Sequence, residues 1–252
     1  MNKIMNKKII CLSAAATLMT FVAIQSPAAE TTGTAPKVIE YPFAPLPALQ
    51  PYADKSLSPE VRAEAVVKEL TLAEKIKMVA GYESFYAPGN QRLGLRPLYF
   101  SDASQGVHIR PELNTGLAKS TAFPCTLALA ATWDPDLATA YAHAIGEECR
   151  AGDIAVLLGP GMNIYRNSEN GRNFEFMGED PCLAGVMVAH YVRGVQSAGV
   201  MATLKHFVCN NDEHRRYSCD CIVGERALHE IYTPAFKSGI DAGAGAVMTS
   251  YN

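Results

Sequence analysis

The sequence predicts an α/β fold in which helices cover a parallel sheet, and three observations support this prediction. Apolar segments too short for helices alternate with helical segments from Leu98 to the last residue. Each apolar segment ends in polar residues or glycine, as strands do at the carboxyl ends of (β/α) sheets. The 252 residues are 48% hydrophobic and 19% charged, which is enough apolar material for a sizeable core. An open doubly wound sheet and a barrel both fit this alternation.

Residues 1–28 have the order of a secretory signal, with positive charges, then an apolar run, then small residues. The charges are Lys3, Lys7 and Lys8, the run is Ile9 to Ile24, and the small residues are Ser26, Ala28 and Ala29. We therefore expect export, to the periplasm or out of the cell, with cleavage near Ala28 or Ala29. The alternative is a retained membrane anchor, which the short run and its Ser and Thr content disfavour. Residues 29–57 are predicted to be an extended lead-in.

Two helix starts open the predicted domain, which spans residues 58–252. Ser58-Pro59-Glu60 has a capping residue, a proline at the first helical position and an acid in the first turn. Thr71-Leu-Ala-Glu74 is a capping box that predicts a second helix, which should stop at Gly81.

The alternating elements follow these two helices. Asp134-Pro135 and Asp180-Pro181 are helix starts of the same kind. In chain order we predict a strand at 98–101, a helix at 135–150, a strand at 154–158, a helix at 181–199, a strand at 201–204, a helix at 224–242 and a strand at 246–249. The chain ends on that strand with no helix to cover it, so we expect the sequence to be part of a larger unit.

The strand at 201–204 is followed at once by Lys205 and His206 and then by a dense set of polar side chains. The carboxyl ends of parallel strands share one edge of the sheet, so this segment predicts a binding site there. Adjacent strand residues point to opposite faces, yet we expect both side chains to reach one pocket. The backbone from Leu204 to Phe207 should therefore be irregular, through a bulge or a cis peptide.

Several classes of function are disfavoured. A formal net charge of −3 gives no electrostatic reason to expect nucleic-acid binding. Neither a phosphate-binding glycine loop nor a G-x-S-x-G nucleophile elbow is present. Nothing in the sequence implies a metal or an organic cofactor, and no membrane contact is expected once the signal is removed. The oligomeric state is left open.

Six cysteines follow the predicted signal: Cys125, Cys149, Cys182, Cys209, Cys219 and Cys221. Export permits disulfides, but their pairing cannot be read from spacing. Small buried hydrophobic residues are the favoured interpretation. A zinc site made from His206, Cys209 and Cys219 or Cys221 lacks the usual paired spacings.

The polar residues at the predicted strand ends suit an uncharged ligand with many hydroxyls. A sugar ring pairs well with a carboxylate (Asp102), an ammonium (Lys205), an imidazole (His206) and guanidinium groups (Arg172, Arg216). Glu213, Arg215 and Glu225 are individually better explained as solvated side chains or local ion pairs.

Five ordered motifs resemble those of glycoside hydrolase family 3, from about Leu70 to the last residue. They are Phe100-Ser-Asp-Ala-Ser-Gln-Gly-Val107, Gly159-Pro-Gly-Met-Asn-Ile-Tyr165, Gly171-Arg-Asn-Phe-Glu-Phe-Met-Gly-Glu-Asp-Pro181, Leu204-Lys-His-Phe207 and Met248-Thr-Ser-Tyr-Asn252. The resemblance implies a (β/α)₈ TIM-type barrel, of which this chain would supply the first half, truncated after about the fourth strand. Family members are mostly retaining β-glucosidases and β-xylosidases.

The resemblance also implies roles for single residues. Asp102 would hold sugar hydroxyls at the deepest subsite, and Tyr251 would lie near the reacting carbon. The same sugar would be ringed by Arg172, Lys205, His206 and Arg216. The chain lacks the glycine-rich loop with an Asp-Ser-His triplet that marks the family's N-acetylglucosaminidases, so neutral glucose-like or xylose-like sugars are expected.

The chain departs from the family pattern in two ways. Asp102-Ala103-Ser104 stands where the family often has Asp-Gly-Pro, so this loop is expected to have a different shape. The family's nucleophile and general acid are expected beyond Asn252, so no catalytic residue is assigned. Carboxylates near Arg172 are expected to position its loop: Glu169, Glu175, Glu179 and Asp180.

We therefore expect this chain alone to bind sugar weakly or not at all and not to turn over glycosides. A non-catalytic carbohydrate-binding fragment and a truncated gene product are the alternatives.

Overall fold

The computed structural model describes residues 52–81, 85–109 and 117–252. The predicted signal, residues 1–28, and positions 29–51 of the predicted lead-in lie outside these ranges. Residues 52–57 form turns. No helix in the described ranges has the length and apolar character needed to cross a membrane.

Two helices open the described fold, α1 (Pro59–Glu69) and α2 (Leu72–Val79), and both predicted caps are confirmed. The hydroxyl of Ser58 accepts a hydrogen bond from the Val61 amide at 3.4 Å. At Thr71 the hydroxyl accepts from the Glu74 amide at 3.3 Å, while the Glu74 carboxylate accepts from the Thr71 amide at 2.9 Å. The chain leaves α2 through Gly81, whose φ of +64° suits glycine.

In the described ranges the sheet has five strands in chain order: β1 (Tyr86–Ala87), β2 (Leu98–Asp102), β3 (Val156–Leu158), β4 (Met201–Phe207) and β5 (Ala246–Thr249). Strands β2 to β5 pair in parallel, which confirms the predicted α/β fold, and the sheet curls into a half-barrel. Strand β1 pairs antiparallel with β2, so the sheet is mixed rather than purely parallel. Strand β1 was not predicted, because its two residues are too few to give a strand pattern in the sequence. The truncation of the barrel after about the fourth strand stays a prediction.

Among the residues that the structure describes, three longer and two short α-helices follow: α3 (Thr126–Ala130), α4 (Pro135–Ala151), α5 (Pro181–Ser197), α6 (Glu225–Ala227) and α7 (Pro234–Asp241). Asp134 caps α4 and Asp180 caps α5, as predicted. The segment predicted as a single helix at 224–242 is helical over most of its length, but it is not one continuous helix. It is divided into α6, a π-helical segment (Leu228–Tyr232) and α7, since Pro234 has no amide hydrogen to continue a helix. Helix α3 was not predicted.

The two faces of the sheet have different environments. One face is buried under α4, α5 and α7, where Leu157, Ala202 and Leu204 have no exposed surface. The opposite face carries Lys205, whose register partner on β5 is Met248. This second face leads into the cavity at the carboxyl ends of the strands.

The end of β4 is irregular, as predicted. The pairing with β5 shifts register between Lys205 and Phe207. The Lys205–His206 and Phe207–Val208 peptide bonds are cis. The strand also runs to Phe207 rather than ending at Leu204 as predicted, so Lys205 and His206 lie within it. Both side chains are buried, and both line the same cavity.

The six described cysteines are free thiols. Cys149 and Cys209 are buried, which confirms the prediction of small buried residues for these two. The prediction is wrong for Cys182 and Cys219, which are exposed. Cys182 lies in the first turn of α5 and Cys219 in the loop after β4, where the chain faces solvent.

Candidate functional site

A cavity of about 710 Å³ lies at the carboxyl ends of the parallel strands. All six residues that were predicted to bind sugar line it: Asp102, Arg172, Lys205, His206, Arg216 and Tyr251. They come from four separate parts of the chain, and the parallel sheet brings these parts to one edge. The cavity is also lined by the aromatic residues Phe85 and Phe174 and by His108.

The loop after β2 is held in place by Ser104. Its hydroxyl accepts a hydrogen bond from the Gly161 amide at 3.0 Å, and its carbonyl accepts from the Tyr191 hydroxyl at 2.8 Å. A Cβ atom at Gly159 would lie 1.9 Å from the Ala103 carbonyl oxygen, so only glycine lets the loops after β2 and β3 approach this closely. This packing fixes the loop that follows Asp102.

Lys205 is a buried cation between two carboxylates. Only 4% of its side chain is exposed, and its Nζ atom lies 3.4 Å from Glu175 Oε2 and 4.0 Å from Asp102 Oδ1. A buried ammonium needs such partners because its desolvation is costly. The Asp102 side chain is 42% exposed, so it faces the open part of the cavity.

Three cations and two carboxylates form a continuous network along the wall of the cavity. Glu175 contacts both Lys205 and Arg172, and the Arg172 Nε atom donates to its Oε1. Glu213 then joins Arg172 at 3.4 Å to Arg216 at 2.5 Å. Asn210 adds a hydrogen bond to Glu213 at 3.0 Å. The network fixes the donor groups of Arg172, Lys205 and Arg216 in one arrangement.

His206 is held by Asn163. The Asn163 Oδ1 atom accepts from the His206 amide at 3.1 Å and lies 3.4 Å from Nδ1, while its Nδ2 donates to the His206 carbonyl at 2.9 Å. Since Oδ1 is an acceptor, the Nδ1 atom carries the proton and Nε2 is left as an acceptor. Burial, then the charges of Arg172, Lys205 and Arg216, lower the pKa of His206 to about 3. The imidazole is therefore neutral at physiological pH.

Arg216 and Tyr251 meet at the mouth of the cavity, together with Tyr217. The Arg216 guanidinium lies 5.5 Å from the centre of the Tyr251 ring and 4.9 Å from that of Tyr217. It also donates to the Tyr217 hydroxyl at 2.9 Å.

The charges around the cavity are balanced. Arg172, Lys205 and Arg216 are matched by Asp102 and Glu175 in the wall and by Glu213 behind the two arginines. A neutral His206 adds no charge. Fixed donors and acceptors without a net charge suit a neutral ligand rich in hydroxyls.

Sequence reasoning missed several residues of this site. Glu213 was judged a solvated or locally paired side chain. It does pair locally with Arg216, but it also contacts Arg172, which lies 41 residues earlier in the chain. Glu175 was expected to position Arg172, which is confirmed, whereas its contact with Lys205 was not foreseen. Asn163 and Tyr217 carry no local signal, because their contacts depend on the path of the loops. No three of the His, Cys, Asp and Glu residues in the described ranges come together in a way that would hold a metal ion.

Comparison with protein families gives a match over residues 70–252. The matching family is described as Glycosyl hydrolase family 3 N terminal domain. The match covers the sheet from β1 to β5, the cavity and every predicted site residue.

Two curated relatives are similar over most of the chain. The beta-glucosidase BoGH3A of Bacteroides ovatus is 45% identical over 210 residues, which are 80% of this chain and 28% of that protein. Thermostable beta-glucosidase B of Acetivibrio thermocellus is 39% identical over 199 residues, 76% of this chain and 26% of that protein. The chain thus spans about a quarter of the length of the curated relatives it matches.

Solved structures show the same fold. The beta-glucosidase 3B from Thermotoga neapolitana in complex with alpha-D-glucose superposes with a TM-score of 0.70 at 39% identity, over 76% of this chain and 29% of that one. A GH3 beta-glucosidase from Bifidobacterium adolescentis gives a TM-score of 0.69 at 37% identity, over 74% of this chain and 27% of that one.

Proposed function

The chain belongs to glycosyl hydrolase family 3, and we propose that its cavity binds the terminal sugar of a β-glycoside during retaining hydrolysis by the full-length protein. The sugar is a neutral glucose-like or xylose-like residue. One observation carries this proposal: six hydrogen-bonding side chains from distant segments converge on one charge-balanced cavity. The relatives named as beta-glucosidases, and the glucose in the Thermotoga neapolitana structure, support the same ligand class.

Each group has a distinct hydrogen-bonding role. A sugar hydroxyl both donates and accepts, so the cavity needs both kinds of partner. Asp102 and the Nε2 atom of His206 accept, while the ammonium of Lys205 and the two guanidinium groups donate. Because Glu175 and Glu213 already hold these cations in place, little side-chain entropy is lost when sugar binds.

The chemical step needs two further carboxylates. Retaining hydrolysis uses a nucleophile and a general acid about 5–5.5 Å apart across the scissile bond. The two carboxylates that line this cavity, Asp102 and Glu175, are engaged with Lys205, and Glu175 is also engaged with Arg172. We assign both to sugar binding and positioning, and we place the nucleophile and general acid in other parts of the full-length protein. We also propose that this protein is exported through residues 1–28.

Saturation-transfer NMR on the purified chain tests the binding proposal, because it detects weak ligands. We expect transfer to methyl β-glucoside and methyl β-xyloside in the wild type, and its loss in Lys205→Met. Lys237→Met is the matched control, because Lys237 is 75% exposed and forms a local pair with Asp241. No transfer in the wild type, or equal transfer in a folded Lys205→Met variant, would contradict the proposal.

A second candidate is a non-catalytic carbohydrate-binding protein. The engagement of both cavity carboxylates by cations favours it. Retention of the full-length protein on immobilised β-glucoside without any hydrolysis would support this alternative, and hydrolysis by that protein would exclude it.

A further inference from the structure

Two cysteines, Cys209 and Cys221, lie at the two ends of the loop that follows β4. The loop between them carries Glu213 and Arg216, two members of the ion-pair network along the cavity wall. Cys209 is buried in a small apolar cluster with Tyr232, and Cys221 packs against the same cluster. The two thiols, called here the thiol pair, therefore share one cluster although they come from opposite ends of the loop.

The surroundings of the thiol pair connect it to the cavity. Cys209 has a φ of +70°, a left-handed conformation that is uncommon outside glycine, so the surrounding structure imposes its position. The sulfur of Cys221 accepts a hydrogen bond from the Asn252 side chain at 3.4 Å. Asn252 directly follows Tyr251, which lines the cavity. A bond within the thiol pair would therefore act on two segments that supply cavity residues, the loop after β4 and the segment after β5.

The two thiols differ in accessibility, and this difference sets the order in which they react. Cys209 is 3% exposed, and its burial, followed by the neighbouring Cys221 thiol, raises the pKa of Cys209 to about 11. Cys221 is partly exposed, so a small molecule reaches it first. A thiolate attacks a disulfide by displacing one of its two sulfurs, which gives a mixed disulfide as the intermediate.

We propose that Cys209 and Cys221 form a thiol–disulfide exchange site, whose substrate is a small-molecule disulfide such as oxidised glutathione. The Cys221 thiolate attacks one sulfur of that disulfide and breaks its S–S bond, and the thiol that leaves takes up the proton lost by Cys221. The Cys209 thiolate then attacks the Cys221 sulfur, and the second thiol leaves with the proton lost by Cys209. The protein loses two electrons, and the small disulfide gains them as it becomes two thiols. The new bond closes the loop that carries Arg216.

Cys219 is the competing partner for Cys221. It is exposed, and its thiol also interacts with that of Cys221. However, one residue separates these two cysteines, so a bond between them would close a very short ring and strain the disulfide geometry. A ring of that length would also constrain the unfolded chain very little. We therefore assign the bond to Cys209, which reaches the cluster from the other end of the loop.

Oxidised glutathione is the probe in the test, and dithiothreitol gives the reduced reference. Peptide mapping by mass spectrometry under non-reducing conditions identifies the linkage in the purified chain after glutathione is removed. We expect a Cys209–Cys221 linkage, and thermal unfolding about 5 °C or more above that of the reduced chain, because a crosslink across this loop removes entropy from the unfolded state.

Three variants locate the effect. Cys221→Ser should lose both the linkage and the shift in thermal unfolding. Cys182→Ser is the matched control, because Cys182 is an exposed thiol in the first turn of α5, and it should keep both. Cys219→Ser should keep both as well. Each variant is compared with itself, oxidised against reduced, so that the effect of the substitution on stability cancels.

Four outcomes would overturn the proposal. Thiols that stay free after treatment, or glutathione that stays attached to Cys221, would show that Cys209 does not complete the exchange. A Cys219–Cys221 linkage, or loss of the shift in Cys219→Ser, would assign the bond to the competing partner. A shift that persists in Cys221→Ser would show that the effect arises elsewhere in the chain. None of these results depends on sugar binding, so the proposed function is tested separately.

Discussion

Glu175 is the buried carboxylate on which two cations of the cavity depend. Its side chain is 9% exposed and contacts both Arg172 and Lys205. In Glu175→Gln the buried ammonium of Lys205 loses the nearer of its two carboxylates. We expect the free energy of unfolding to fall by about 3 kcal/mol, as for other broken buried ion pairs. Sugar binding should weaken in the same variant.

Urea unfolding measures this loss, and Glu230→Gln provides the matched control. Glu230 forms an ion pair with Arg226, but the two side chains are 59% and 87% exposed. Exposed pairs contribute about 0.5 kcal/mol or less. An equal loss in the free energy of unfolding from the two substitutions would show that the network does not depend on Glu175.

His206 should make stability depend on pH in a defined direction. Its pKa in the folded chain is lowered to about 3, below the ordinary value of 6.5, by burial and by three nearby cations. As the pH falls below 6.5, His206 becomes protonated in the unfolded chain, whereas it stays neutral in the folded chain until the pH approaches 3. The free energy of unfolding therefore falls with pH, by up to about 1.4 kcal/mol per pH unit from this residue alone.

The difference between wild type and His206→Gln isolates this contribution. Urea unfolding between about pH 7 and pH 5 avoids most carboxylate titration. We expect the free energy of unfolding of His206→Gln to depend less steeply on pH than that of the wild type. The difference in slope should correspond to the uptake of close to one proton. The same slope in both proteins would mean that His206 takes up its proton over the same pH range in the folded and the unfolded chain.

The sequence indicated some of these residues and not others, for physical reasons. Lys205 and His206 were predictable because strong polar groups directly follow an apolar strand that must be buried. Asp102 was predictable in the same way at the end of β2. Glu213 and Tyr217 were not, because their contacts with Arg216 are made within a loop whose path the local sequence does not determine.

At the scale of elements, capping residues were the most reliable signals, since they satisfy backbone groups locally. Ser58, Thr71, Asp134 and Asp180 each begin a helix as predicted. The predictions failed at elements whose formation depends on more than the local sequence pattern. Strand β1 pairs with β2 across a distant part of the sequence, where the ring of Tyr86 lies 4.4 Å from that of Tyr99. The break before Pro234 interrupts the helical pattern around it.

The close approach of the loops after β2 and β3 is testable at Gly159. A Cβ there would lie 1.9 Å from the Ala103 carbonyl oxygen, a backbone atom that cannot move alone. Gly159→Ala should therefore lower the free energy of unfolding by about 3 kcal/mol or more, and it should displace the loop that follows Asp102.

Gly171→Ala is the control for this substitution. No atom lies within 4 Å of the position that its Cβ would occupy. We expect a change within about 0.5 kcal/mol in urea unfolding. A Gly159→Ala variant as stable as Gly171→Ala would show that the two loops are not tightly packed.

At the scale of the whole molecule, the sheet determines the site. Four parallel strands bring segments that are far apart in sequence to one edge, which the alternation of elements predicted. The alternation left open whether the sheet is a barrel or an open sheet, because helix and strand order is the same in both. The curvature depends on long-range pairing, so it could be expected only from the family resemblance.

The last prediction concerns turnover by residues 1–252. Retaining hydrolysis needs two carboxylates on opposite sides of the scissile bond, whereas both carboxylates that line the cavity contact the same ammonium, that of Lys205. The chain should therefore bind sugar without releasing nitrophenol from nitrophenyl β-glucoside or β-xyloside above the background rate. The assay should be paired with saturation-transfer NMR on the same sample, so that a folded, sugar-binding chain is shown to be inactive. Turnover in the wild type that disappears in Asp102→Asn would contradict the prediction and assign chemistry to this cavity. Turnover that is equal in Asp102→Asn and in Glu175→Gln would indicate a contaminating glycosidase, since neither carboxylate of the cavity would then be needed.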